Sequence, residues 1–170
     1  ESLKEYNAFQ LFFTNKNIET CFFPADQKTS IDSIYCRDAS IATDFGMIVC
    51  NMGKNGRIQE PKAQLETYQQ NTVKILGEIT FPGTLEGGDV AWLDQKTLAV
   101  GHTYRTNDQG IRQLKALLDP KGIEVIVVEL PHYKGKEDVF HLMSILSPVD
   151  KNLAVVYSAL MEIKFRNKLL

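Results

Sequence analysis

The sequence predicts an α/β fold of repeated strand–strand–helix–strand (ββαβ) modules, a single domain over residues 1–170 with an incomplete module at each end. Three observations predict it. A two-strand hairpin pattern recurs along the chain, each hairpin runs into a helical pattern, and the recurrence is roughly fifty residues, a period typical of propellers and other repeat architectures. A single α/β domain whose segments resemble one another by accident is the alternative.

The N-terminal stretch "LKEYNAFQLFFTNKNIETCFF" reads as helix then strand, with no hairpin before it. "ASIATDFGMIVCN" places two short β-branched and apolar runs around a turn at Asp44-Phe45-Gly46, which is a hairpin signal. The helical pattern after it, "PKAQLETYQQNTVKIL", offers Leu65, Tyr68, Val73 and Leu76 as core positions, and the strand "GEITF" follows. "DVAWLDQKTLAVG" is the second hairpin, turning near Asp94-Gln95-Lys96. In "TNDQGIRQLKALL" the apolar residues Ile111, Leu114, Leu117 and Leu118 fall on one helical face, with Thr106 or Asn107 as the N-cap. The strand "EVIVVEL" closes that module. "FHLMSILSPVDKNLAVVYS" is the third hairpin, turning near Asp150-Lys151-Asn152, and "EIKFRNKLL" is a helix without a closing strand. The unmatched ends make the chain read as a piece of a longer repeat protein.

Composition narrows the function classes. The chain is 44% hydrophobic and 24% charged, with a formal net charge of −2, so no basic surface argues for nucleic acid or an anionic membrane. No apolar run approaches the ~20 residues of a bilayer span. The three cysteines, Cys21, Cys36 and Cys50, show no paired spacing, which points to a reducing, cytoplasmic compartment. Cys21 and Cys50 lie in apolar runs and read as packed thiols; Cys36 sits in a strand-like alternation. The three histidines show no metal-binding spacing, so no metal or organic cofactor is expected.

Charged and titratable residues recur just before each hairpin: Asp38 in "CRD", Glu86 and Asp89 in "EGGD", His141 in "VFH". In a propeller these positions converge near the axis and form a constellation from distant parts of the chain. Each has a plainer reading. "EGGD" alone can be a tight turn with solvated acids, and a histidine between Phe140 and Leu142 can be a satisfied core residue. Arg57 and Arg105 both fall between a second strand and the next helix. Planar guanidinium groups there suit capture of a carboxylate, and equally suit solvent. Arg166, at the comparable place in the third unit, reads as solvated.

The ordered set Arg37-Asp38, then Glu86-Gly87-Gly88-Asp89, then Arg105-Thr106-Asn107, then His141-Leu142 resembles the guanidino-group-modifying superfamily of dimethylarginine dimethylaminohydrolases, arginine deiminases and amidinotransferases. The resemblance runs from about Pro24 to the end of the chain. It implies a five-bladed α/β propeller, here incomplete. It also implies a hydrolase for the C–N bond of a guanidino group on a small arginine-like substrate. His141 would be the catalytic acid and base, Glu86 its partner, Asp38 the group holding the guanidinium, with Asp89 beside it. Arg105 and Arg57 would hold the substrate's α-carboxylate. The family's nucleophilic cysteine lies downstream of the histidine and so outside this chain, which leaves a C-terminal segment or a second chain, as in a homo-oligomer, to complete the propeller. Arginine deiminases and amidinotransferases carry an acid two residues after the histidine. Met143 stands there, a pattern closer to the dimethylarginine hydrolases. An amidinotransferase and a non-catalytic arginine-type binding fragment are the alternatives.

Overall fold

The computed structural model describes residues 1–132, 135 and 139–170. Asp138, which opens the "DVFH" stretch, lies outside the described residues. Helix α1 (Ser2–Asn15) is followed, after an irregular stretch, by β1 (Ser40–Ile41), β2 (Met47–Val49), α2 (Glu60–Gln70) and β3 (Ile75–Glu78). Next come β4 (Val90–Trp92), β5 (Thr97–His102), α3 (Asp108–Leu118) and β6 (Glu124–Glu129), then β7 (Leu146–Asp150), β8 (Leu153–Val156) and α4 (Ile163–Leu169).

The ββαβ repeat is visible in the pairing. In the first sheet β1 runs antiparallel to β2, and β3, returning through α2, lies parallel to β2. The second sheet repeats this with β4, β5 and β6, joined through α3. The third unit is the antiparallel pair β7–β8 followed by α4. All three predicted hairpins form at the predicted turns.

Strand alternation explains how the units stack. Successive side chains of a strand face opposite ways. In the middle sheet Val90, Leu98 and Val100 point into a core shared with Ile41, Ile48 and Leu85 of the first unit and with Ile111, Leu114 and Leu118 of α3. Their neighbours Ala91 and Ala99, with Val128, point into a second core with Leu142, Leu146, Met161 and Phe165 of the third unit. The small alanines on that side let the third unit approach closely. The middle sheet is therefore buried on both faces, as a blade between two blades must be.

The structure corrects several sequence expectations. Residues 18–23 form no strand: a strand needs a neighbouring edge to pair with, and none reaches this stretch among the described residues. Cys21 is accordingly exposed, whereas Cys50 is buried as expected. Helix α2 ends at Gln70 and buries Gln64 and Thr67 rather than Val73, which is exposed; Leu65 and Tyr68 are only half-buried. Its inner face is polar because it serves hydrogen bonds: Gln64 accepts from Ser40 Oγ (2.7 Å) and donates to the Cys36 carbonyl (2.7 Å). Helix α3 matches expectation, with Asn107 Oδ1 accepting from the Gly110 amide (2.9 Å) as the N-cap.

Candidate active site

A short 3-10 turn precedes the first strand of every unit: Cys36–Ala39, Gly87–Asp89 and Leu142–Ser144. His141 is the residue that caps the third of these turns, not part of a strand as its apolar neighbours suggest. These turns bring Asp38, Glu86, Asp89 and His141 together.

The Gly87–Asp89 turn aims two carboxylates at one imidazole. In 3-10 geometry residues i and i+3 eclipse, so Glu86 and Asp89 project on the same side. Both are fully buried. Glu86 Oε1 accepts from the backbone amides of Gly53 (3.1 Å) and Lys54 (3.0 Å). Its Oε2 lies 3.3 Å from His141 Nε2 and 3.5 Å from Arg105 Nη1. Asp89 Oδ2 accepts from the hydroxyls of Thr106 (2.6 Å) and Thr103 (3.1 Å). Its Oδ1 accepts from the Leu142 amide (3.1 Å) and lies 3.2 Å from His141 Nδ1. The contact at Nδ1 is an ion-pair approach rather than an aligned hydrogen bond.

Gly88, between the two acids, is needed for close approach. A Cβ there would come 2.7 Å from Asp38 Oδ1 and 2.8 Å from the His141 ring. The missing side chain is what lets the carboxylate and the imidazole flank the same space.

Asp38 is held from behind. Arg57 donates from Nη1 to Asp38 Oδ2 (2.6 Å), and grips Glu60 through Nε (2.9 Å) and Nη2 (2.7 Å). It also reaches the carbonyls of Asp32 and Tyr35. Its side chain is only 4% exposed. Burial works against its charge, but Glu60 and Asp38 raise its pKa well above the ordinary guanidinium value. With its donors turned to these partners, Arg57 offers the geometry of a brace for Asp38 rather than of a direct hook for a substrate carboxylate. Asp89 likewise stands behind His141, fully buried and outside the pocket lining.

In front of these groups is a pocket of about 570 Å³ lined by Asp38, Arg57, Arg105 and His141, with Tyr35, Cys36, Arg37, Lys54 and Met143 on its walls. Arg37 donates to the Val90 carbonyl (2.6 Å) and touches Met143 Sδ (3.1 Å), tying the three units together at the rim. Sequence reasoning missed Thr103, Thr106 and Glu60. The spacing of Arg57 and Glu60, three apart where α2 begins, is the one signal that points to a pair.

The electrostatics favour a charged histidine. Burial lowers the proton affinity of His141, but the carboxylates of Asp89 and Glu86 outweigh it and raise its pKa from 6.5 to about 9. For Glu86 burial pushes upward, and the close contact with the His141 ring, its charge and that of Arg105 more than reverse this, so its pKa falls below the usual 4.5. The two shifts have opposite pH signatures. The stabilisation from His141 is complete below its unfolded value of 6.5 and is lost as pH rises through about 9. That from Glu86 is complete above 4.5 and is lost as pH falls below it. Urea midpoints are therefore expected to be highest between these limits, and the alkaline decline is expected to weaken in Glu86→Gln. An alkaline limb identical in that variant would contradict the pairing.

Comparison with known proteins places the chain in a family. The sequence profile of arginine deiminase matches residues 30–169. The chain is similar to the N(G),N(G)-dimethylarginine dimethylaminohydrolase of Pseudomonas aeruginosa, 28% identical over 152 residues, which cover 89% of this chain and 57% of that protein. It is similar to the corresponding protein of Streptomyces coelicolor, 26% identical over 132 residues, covering 78% of this chain and 48% of the relative. The chain thus spans about half the length of these curated relatives. Among solved structures, a mutant of the Pseudomonas aeruginosa enzyme complexed with citrulline superposes with a TM-score of 0.82 at 26% identity, over 97% of this chain and 62% of that one. SxtG, an amidinotransferase of Microseira wollei, shares the fold with a TM-score of 0.71 at 16% identity, over 95% of this chain and 56% of its own. The resemblance drawn from the motifs and the part-propeller fold are both borne out: the chain belongs to the arginine deiminase family.

Proposed function

We propose that the protein containing this chain hydrolyses a C–N bond in the guanidino group of an arginine-like substrate, as a dimethylarginine dimethylaminohydrolase does. The observation that carries the reading is the pairing of Asp38 and His141 across Gly88 at one pocket, with Glu86 and Asp89 behind the imidazole. A flat cation is held by a carboxylate on one side and meets a proton donor on the other. Asp38, fixed by Arg57, orients the guanidinium and removes the entropic penalty of aligning it for attack.

In this reading a cysteine thiolate outside these residues attacks the guanidinium carbon. The C–N bond to the departing amine breaks, and His141, protonated between its two acids, delivers the proton to that nitrogen. Neutral His141 then takes a proton from water as its oxygen attacks the amidino-thioether carbon. The C–S bond breaks, and the ureido product and thiolate are released. One histidine serves both transfers because the first leaves it as the base the second requires.

Met143 on the pocket wall favours the hydrolase over an amidinotransferase. It places a soft apolar side chain where the deiminases and transferases of the resemblance have an acid, which suits a substituted guanidine. Assay of ureido product from methylated arginine against plain arginine tests this, and a new guanidino product on adding glycine would favour the transferase. The cysteines present are all free, in keeping with the cytoplasmic location we infer.

Arg105, at 22% side-chain exposure, is the arginine on the wall with freedom to meet a substrate carboxylate. Arg105→Ala is expected to lower kcat/KM for arginine-type substrates by about 10–100-fold, the loss of one charge-assisted hydrogen bond. Guanidines without the carboxylate should lose far less. Equal losses for the two substrate types would return Arg105 to a role unconnected with the carboxylate.

A further inference from the structure

The Arg105 side chain on the pocket wall turns toward Glu86 and His141. Its Nη1 is 3.5 Å from Glu86 Oε2 and 3.5 Å from His141 Nε2, while those two atoms are 3.3 Å from each other. Two cations thus share one carboxylate oxygen. The backbone of Arg105 is fixed: its amide donates to Thr103 Oγ1 (3.0 Å), and Gly53 packs so closely that a Cβ there would come 2.5 Å from the Arg105 Cα. Only the side chain has somewhere to go.

We propose that Arg105 is a substrate-responsive cap on the Glu86–His141 pair: its guanidinium lies across the two, and a substrate carboxylate draws it off, leaving Oε2 to the imidazole alone. Arg105 then acts through His141, as a positioning residue for the proton donor. The inference rests on the proposed capture of the substrate carboxylate by Arg105, and adds that this capture is felt at the general acid.

The physical reason is direct. A guanidinium beside an imidazole disfavours imidazolium by like-charge repulsion and takes part of the carboxylate that stabilises it. The other charged groups around the ring have fixed supports of their own, and Lys54 on the same pocket wall is paired with Asp32 (2.7 Å). Asp89 is held by Thr103, Thr106 and the Leu142 amide. Glu86 is held by the Gly53 and Lys54 amides, and Asp38, across Gly88, by Arg57. Arg37 is engaged with Val90 and Met143. Arg105 is the member whose displacement changes the charge around His141 without disturbing those bonds. The coupling would bring His141 to its strongest proton-holding state when a substrate with the right tail has arrived.

The test is an NMR titration of the His141 ring in the full-length protein. The titration midpoint is expected to rise by about one pH unit in Arg105→Gln, and by a similar amount in Arg105→Ala, since the charge is the cause. Citrulline, whose ureido head adds no charge but which carries the carboxylate, is expected to raise the midpoint in the wild-type protein and leave it unchanged in either variant. Midpoints unaltered by both substitutions would overturn the cap, whatever Arg105 does for substrate binding. A rise on substitution, with no rise when citrulline is bound at saturation, would overturn the coupling. A binding isotherm run alongside separates that outcome from absence of citrulline binding, which would bring down the substrate reading as well.

Discussion

His141→Gly in the full-length protein is expected to lower kcat for guanidine hydrolysis by about 10²- to 10⁴-fold, the usual contribution of a positioned acid–base group, with the fold retained. The loss follows from the two proton transfers assigned to one ring. Retention of the fold follows from the supports around it. Without the imidazole, Glu86 keeps the Gly53 and Lys54 amides and gains undivided contact with Arg105. Asp89 keeps both threonine hydroxyls and the Leu142 amide. Glu86 keeps a cation in Arg105 and Asp89 keeps three hydrogen bonds to its charge, so the variant's far- and near-ultraviolet circular dichroism should match the wild type. Undiminished turnover would remove His141 from the mechanism. A collapsed fold would show that the imidazole is structural.

Arg57→Met is expected to have the largest effect on stability. Arg57 is the sole cation bonded to both Asp38 and Glu60 among the described residues, and all three are buried. Removing it strands two carboxylates at once, and breaking a buried pair by deleting one partner typically destabilises by about 3–5 kcal/mol. The urea midpoint should fall accordingly. Part of the loss should return in Arg57→Met combined with Glu60→Gln, which removes one stranded charge. A single variant as stable as the wild type would mean that the network is not formed. The same change frees Asp38 from its brace, so substrate affinity should fall along with stability.

These two side chains also show what the sequence can and cannot disclose. His141, Glu86 and Asp38 are legible because each lies at the same place in a repeat whose hairpins are marked by turn residues between apolar runs. Helix α3 is legible from the spacing of Ile111, Leu114 and Leu118 and from its Asn107 cap. Helix α2 is legible as a helix but its inner face is not, because it buries Gln64 and Thr67, and a polar inner face carries no hydrophobic period. The extended reading of residues 18–23 fails for the usual reason that a strand is defined by its neighbour, which a local pattern does not contain. Asp89 and Arg57 stand out in the sequence as site residues, but Asp89 lies behind the pocket and Arg57, at its edge, is turned to Asp38. Charge and position suggest contact with substrate; only three-dimensional convergence shows Asp89 turned to His141 and Arg57 turned to Asp38.

Citrulline or a methylated arginine bound to the full-length protein, seen by crystallography, tests the central claim most directly. The predicted result is the flat head group at Gly88, with Asp38 on one side and His141 on the other, Glu86 and Asp89 behind the ring, and the α-carboxylate on Arg105. A ligand seated in a different cavity, or one whose head group touches neither Asp38 nor His141, would contradict it.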